Sequence, residues 1–179
     1  MINTTTYSQA GQDLFVLNQT NYLKNGLFVE LGGCHPVNGN NSFILESNYD
    51  WDGISIEIDP SYNTLWSELR KCKFVNSDAF TVNYVDEFEK LLKKHNKKEK
   101  HFNYLSLDLE PPELTCKLLF TLPLKIYKFD VITYEHDSYR VGTIYKEIAN
   151  NYLTSLGYVR LKEDIAHENC IFEDWYVLK

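Results

Sequence analysis

The sequence predicts an α/β fold, a three-layer sandwich around a mostly parallel sheet with an antiparallel hairpin at its C-terminal end. Three observations predict it. Apolar runs such as Leu27-Phe28-Val29 and Ile54-Ser55-Ile56 alternate with segments of helical spacing between residues 27 and 156, the pattern of βαβ units in which both faces of the sheet are covered. Four of these runs lead into carboxylates, at Glu30, Glu57, Asp108 and Glu135. Finally, 158–162 and 171–178 alternate in polarity across a polar loop, which suits a closing hairpin.

Taken in order, residues 7–22 carry Leu14, Phe15 and Leu17 at the spacing of a short amphipathic helix, with Ser8 as a possible cap. The first strand, 27–31, runs into Gly32-Gly33-Cys34-His35-Pro36, where a glycine pair lets the backbone turn sharply against a ligand. Phe43-Ile44-Leu45 predicts a helix, 54–58 a second strand, and Asp59-Pro60 opens a helix running to Arg70. Residues 73–76 form a third short strand, followed by Ser77-Asp78-Ala79, and 84–95 is helical by its Val85, Phe88, Leu91 and Leu92 spacing. A fourth strand at 102–109, a helix at 115–122 and a fifth strand at 129–135 follow. The longest helix, 139–156, is stopped by Gly157. There is no internal repeat and no linker, so residues 1–179 read as one domain, a length that supports one sizeable core.

Composition narrows the function. Hydrophobic content of 44% and aromatic content of 15% predict a globular chain. A net charge of −7, with one lysine-rich run at 93–100 that reads as a solvated helix end, argues against nucleic acid as a partner. No apolar run is long enough to span a membrane, and residues 1–6 lack the basic-then-apolar pattern of a leader. Cys34, Cys72, Cys116 and Cys170 have no CxxC spacing and read as free thiols of a cytoplasmic protein.

In an open α/β sheet the strand ends share one edge, so Glu30, Glu57, Asp108, Glu135 and Asp78 would line one cleft. Buried carboxylates need partners, and so many at one edge calls for a functional explanation. Glu57, at the end of the second strand, can accept both hydroxyls of a ribose. The first loop lacks the G-x-G-x-x-G of a pyrophosphate cradle. A ligand with a ribose and no phosphate fits better, and S-adenosylmethionine is such a ligand.

The segments Tyr7-Ser8-Gln9-Ala10-Gly11-Gln12-Asp13, Val29-Glu30-Leu31-Gly32-Gly33-Cys34-His35-Pro36, Asn41-Ser42 in the following helix, Trp51-Asp52-Gly53-Ile54-Ser55-Ile56-Glu57, Tyr104-Leu105-Ser106-Leu107-Asp108-Leu109-Glu110 and Phe129-Asp130-Val131-Ile132-Thr133-Tyr134-Glu135-His136 resemble, in order, those of the FkbM-type methyltransferases over roughly residues 7–140. That family is a branch of the Rossmann-like, S-adenosylmethionine-dependent enzymes associated with O-methylation of sugar or polyketide hydroxyls. The resemblance implies that Glu30, Gly32 and Gly33 approach the methionine and ribose parts of the cofactor and that Glu57 holds the ribose hydroxyls. It implies that Ile58 packs the adenine, that Asp78 and Ala79 meet its edge, and that Gln9 and Asn41 stand at the cofactor's rim. Asp108 would face the sulfonium and the acceptor, a small molecule such as a saccharide. The chain departs from the family at Pro111-Pro112, where a glycine is usual, which stiffens that corner and removes two N–H donors.

An alcohol acceptor must lose its proton near the transition state. His136 has the unperturbed pKa of a base, with Glu135 or Asp108 to orient it. A divalent metal on Asp108, Glu135 and His136 would be a second route to the same end, though these ligands are too few to assert one. Two other functions stay open at this point: an S-adenosylmethionine-binding accessory protein without catalysis, favoured by Pro111-Pro112, and a nucleotide-dependent oxidoreductase, disfavoured by the missing glycine motif.

Overall fold

The structure, a computed structural model, describes residues 5–179; residues 1–4, part of the stretch read as lacking a leader, lie outside it. The elements in order are α1 (Gln12–Gln19), β1 (Leu27–Leu31), α2 (Phe43–Tyr49), β2 (Asp52–Glu57), α3 (Asn63–Leu69), β3 (Lys73–Asn76), α4 (Tyr84–Lys94), β4 (His101–Leu107), α5 (Pro112–Thr121), β5 (Lys128–Glu135), α6 (Ser138–Val141), α7 (Ile144–Ser155), β6 (Tyr158–His167) and β7 (Cys170–Leu178). The seven strands of the described residues form one sheet in the order β3-β2-β1-β4-β5-β7-β6. The first five are parallel, and β7 pairs antiparallel with both β5 and β6. This is the Rossmann-like α/β sandwich with a C-terminal antiparallel hairpin that the sequence predicts.

The central strands read as nearly continuous apolar runs because helices cover both faces. Leu27, Val29 and Leu31 of β1 point into a core shared with α4, α5 and α7, built around Phe88, Leu91, Leu118 and Leu153. Phe28 and Tyr104 face the other way, against Phe15, Val16, Ile44 and Trp66 from α1, α2 and α3. The chain leaves β1 for β2 on one side and later returns to place β4 on the other. The crevice outside the carboxyl ends of β1 and β4 is therefore the switch point at which such sheets bind ligands.

Several local expectations are corrected. Helix α1 begins only after Gly11, whose φ is 87°, so Ser8 is not its N-cap residue, and its Oγ takes the first-turn amide of Asp13 only at 3.4 Å. The Ser8 hydroxyl instead donates to the buried Asp13 carboxylate at 2.7 Å, which also accepts the Tyr7 and Leu14 amides at 2.8 Å each. Asn41 and Ser42 precede α2 rather than lying in it, and the Pro60–Tyr62 turn is 3₁₀ before α3 begins. The expected helix over 139–156 is two helices, broken where Gly142 adopts φ 74°. The hairpin strands run far beyond the expected 162 and meet through Glu168 and Asn169, both at positive φ, as a tight turn between twisted strands requires. The polar stretch read as a loop is the exposed part of β6. Trp51, Trp66 and Trp175 are buried and all four cysteines are free. Among the described residues, no helix is long and apolar enough to cross a membrane.

Candidate functional site

Two cavities open at the carboxyl edge of the sheet and share Asp108 and Glu110 between them. The first, of about 340 Å³, is lined by Gly32 from the end of β1, Glu57 and Ile58 from β2, Asp78, Ala79 and Phe80 after β3, and Leu109 and Leu114 around the start of α5. Its volume is in the range of small-molecule sites. The apolar walls are uncommon for surface residues: Ile58 is 67% exposed and Phe80 40%.

Gly32 is required here by geometry. Its φ is 87°, and a Cβ on it would stand 1.6 Å from the carbonyl oxygen of Asp108. The backbones of β1 and β4 thus touch at the crevice floor, and any side chain on Gly32 would push them apart. Glu57, 6% exposed, clamps the loop after β1: one carboxylate oxygen accepts the Cys34 amide at 2.9 Å and the other the Asp59 amide at 2.8 Å. Each oxygen keeps a lone pair for a further donor from the cavity. Cys34 is exposed, and partial desolvation beside the facing Glu57 carboxylate pushes its thiol up to about 12, which keeps it protonated at neutral pH. Asp78 lines the cavity and also closes its own turn, accepting the Phe80 amide at 2.9 Å.

The second cavity, of about 240 Å³, has mostly polar walls from Gln9, Asp108, Glu110, Glu135, Asp137 and Tyr139, closed on the hairpin side by His167, Cys170 and Phe172. Strands β4 and β5 are neighbours, and Asp108 and Glu135 meet carboxyl to carboxyl at their ends. Burial raises both, and two carboxylates this close cannot both ionise easily, so the pair holds one shared proton. Arg140 from α6 donates to Glu110 and Asp137 at 2.8 Å each.

Four of the predicted site residues stand elsewhere. Glu30 is 2% exposed and absent from both walls. Its carboxylate accepts Ser55 Oγ at 2.8 Å, Ser42 Oγ at 3.0 Å and Asn40 Nδ2 at 3.2 Å. Burial raises its pKa, opposed by Arg70, whose side chain is sealed against the Trp66 ring and donates to Ser42, Asn40 and Pro36. Glu30 anchors the loop from beneath. Gly33 packs inward, since a Cβ there would lie 2.2 Å from Ser55 Oγ. Asn41 is buried, donating to Ser106 Oγ at 3.0 Å, with its own Oδ1 unpartnered.

His136 is the main correction. The backbone amides of His136 and Asp137 are both drawn to the Phe172 carbonyl, which turns the ring inward. It is 0% exposed, accepts the Ser138 amide on Nδ1 at 3.1 Å, and sets Nε2 3.5 Å from Asp174 Oδ1. It lines neither cavity, so the base role and the metal set of Asp108, Glu135 and His136 both lose a member. The proline pair is also reinterpreted. Pro112 opens α5, where a missing N–H costs nothing, and Thr115 Oγ1 holds the Leu109 amide and carbonyl.

Sequence reasoning missed Phe80, Leu109, Leu114, Glu110 and Asp137. Glu110 and Asp137 each lie two residues from a predicted acid, so the spacing on the two adjacent strand ends could have found them.

No protein-family model matches the chain, and neither does any curated protein. Solved structures do. The O-methyltransferase from Bacillus cereus in complex with S-adenosylhomocysteine is 13% identical with a TM-score of 0.62, the match covering 99% of this chain and 83% of that one. Aeropyrum pernix fibrillarin with natively bound S-adenosyl-L-methionine is 11% identical with a TM-score of 0.56, over 95% of this chain and 74% of that one. An rRNA methylase from Streptococcus thermophilus is 9% identical with a TM-score of 0.56, over 93% of this chain and 95% of that one. The chain has the fold of the class I S-adenosylmethionine-dependent methyltransferases.

Proposed function

We propose that the chain transfers a methyl group from S-adenosylmethionine to a hydroxyl of a sugar or another small metabolite, as the resemblance to FkbM-type enzymes implies. The observation that carries the reading is the pair of cavities meeting at Asp108, one apolar with a carboxylate at the end of β2, the other polar and acidic. The residues of the first fit the cofactor: Glu57 has free lone pairs for ribose hydroxyls, Ile58 and Phe80 offer apolar faces to the adenine, and Asp78 and Ala79 border its edge. Gln9 stands at the rim of the second cavity instead.

The cofactor, when bound, supplies a methyl group on a positively charged sulfur. Asp108 lies between the two cavities and accepts the hydrogen bond of the acceptor hydroxyl. Its raised proton affinity suits it to take that proton as the oxygen–carbon bond forms. Glu135, which shares a proton with Asp108, holds that carboxyl in place. Holding the two reactants side by side supplies most of the acceleration.

Calorimetry with S-adenosylhomocysteine and with NAD tests the reading. Micromolar binding of the homocysteine compound and none of NAD is expected. Binding of NAD alone would assign the cavity to an oxidoreductase, and cofactor binding with no methyl transfer to any acceptor would leave an accessory protein.

A further inference from the structure

The acidic cavity holds more negative charge than its own cations balance. We infer that it receives an acceptor bearing a protonated amine close to the hydroxyl that takes the methyl group, an inference that rests on the methyltransferase reading of the adjoining cavity. Four carboxyl groups, Asp108, Glu110, Glu135 and Asp137, share walls of about 240 Å³; among the described residues no lysine or arginine lines them, and a single imidazole, His167, faces the four acids. Arg140, alongside, is spent on Glu110 and Asp137.

Asp108 and Glu135 are left without a cation. Glu135 is only 8% exposed and lines the cavity, yet among the described residues no amide, hydroxyl or cationic group donates to its carboxyl, which meets only the carboxyl of Asp108. Its cross-strand partner on β7 is another acid, Glu173, 1% exposed. A buried carboxyl pair is costly to ionise unless a cation joins it. An ammonium group placed between Asp108 and Glu135 would donate charge-assisted hydrogen bonds to both and release their shared proton. Tyr139 and Phe172 line the same space and give it aromatic character, which suits a cation. A phosphate or carboxylate on the acceptor would face four carboxyl groups here, so the walls also select against acidic molecules.

A divalent metal is the competing occupant, since Glu110, Glu135 and Asp137 bring oxygen atoms within 4.8 Å of one another. Two of those three are already bound to the Arg140 guanidinium, which a metal would have to displace. An ammonium needs no such rearrangement.

The test is calorimetry on the chain saturated with S-adenosylhomocysteine, titrated with glucosamine, glucose and glucuronate, one ring carrying three charges. Glucosamine should bind at least about tenfold more tightly than glucose, the scale of one charge-assisted hydrogen bond. Glucuronate should give no heat, and the glucosamine heat should vary with the buffer's ionisation enthalpy as the shared proton leaves. Glu135→Gln, isosteric with the protonated acid, should erase the advantage of glucosamine while S-adenosylhomocysteine affinity is kept, which reports that the variant is folded. Glucosamine binding no better than glucose, glucuronate binding as well as either, or displacement of glucosamine by stoichiometric magnesium would overturn the inference. Failure of S-adenosylhomocysteine itself to bind would remove the methyltransferase reading and this inference with it; its binding without any preference for the amine would remove only the charge assignment.

Discussion

The carbonyl oxygen of Asp108 occupies the space that a Cβ on Gly32 would need, 1.6 Å from its ideal position. Two parallel strands thus touch through bare backbone at the floor of the crevice, and Asp108 is held where both cavities meet. Gly32→Ala must both strain a residue at φ 87° and separate β1 from β4. It should destabilise the chain by about 3 kcal/mol or more. An unchanged urea midpoint in the alanine variant would refute this account of the contact.

Glu57 is expected to give up affinity rather than fold. Its carboxylate binds two loop amides and faces the apolar cavity. Glu57→Ala should weaken S-adenosylhomocysteine binding by about 1–3 kcal/mol, the scale for charged hydrogen bonds. Glu57→Gln, which keeps an oxygen for one amide, should fall between. Calorimetry on folded variants reads both, and unchanged affinity in Glu57→Ala would take the residue out of the site.

The order of strands and helices was legible in the sequence because each strand buries both faces and so reads as an apolar run. What was illegible depends on side chains from distant segments. Glu30 looks like a strand-end acid, but its role is set by Ser42, Ser55 and Asn40, which arrive from three other places in the chain. His136 follows a strand directly, and only its neighbour across the sheet, Phe172 on the far hairpin, decides that the ring turns inward. That Glu57, Ile58, Asp78 and Ala79 line the cavity was legible because they end strands or follow them within three residues on the edge where it opens. The break at Gly142 carried a signal, a glycine within a helical pattern, that the apolar spacing of the flanking residues outweighed.

Glu173 gives the chain a pH-dependent stability. It is 1% exposed, accepts the Trp175 indole N–H at 2.6 Å, and burial raises its pKa to about 8. A carboxyl raised on folding contributes stability that is present below its unfolded pKa near 4.5 and is lost as pH rises through about 8. Glu173→Gln removes that titration while keeping an oxygen for Trp175. The variant should therefore gain on the wild type as pH increases, with the difference opening between pH 5 and 9. Parallel urea titrations across that range would expose the error if the two proteins kept a constant difference.

The last prediction separates Asp108 from His136 as the group that receives the acceptor's proton. Asp108 lines both cavities, whereas His136 is sealed behind the wall with Nδ1 on the Ser138 amide and Nε2 toward Asp174. Asp174 is itself committed, taking Arg160 at 3.0 Å and the Asp164 amide at 2.8 Å, so the ring has no path to the acceptor. Asp108→Asn should slow methyl transfer by about 100-fold or more with little change in S-adenosylhomocysteine affinity, because a carboxamide can position the hydroxyl but cannot take its proton. In the wild type, kcat should rise with pH as Asp108 ionises, at a pH above that of an ordinary carboxylate since burial raises it. His136→Asn, whose Oδ1 can still accept the Ser138 amide, should leave that pH profile in place and cost stability instead. If the pH dependence of kcat disappeared in His136→Asn and survived in Asp108→Asn, the base would be the histidine and the inward ring would have to swing out during turnover.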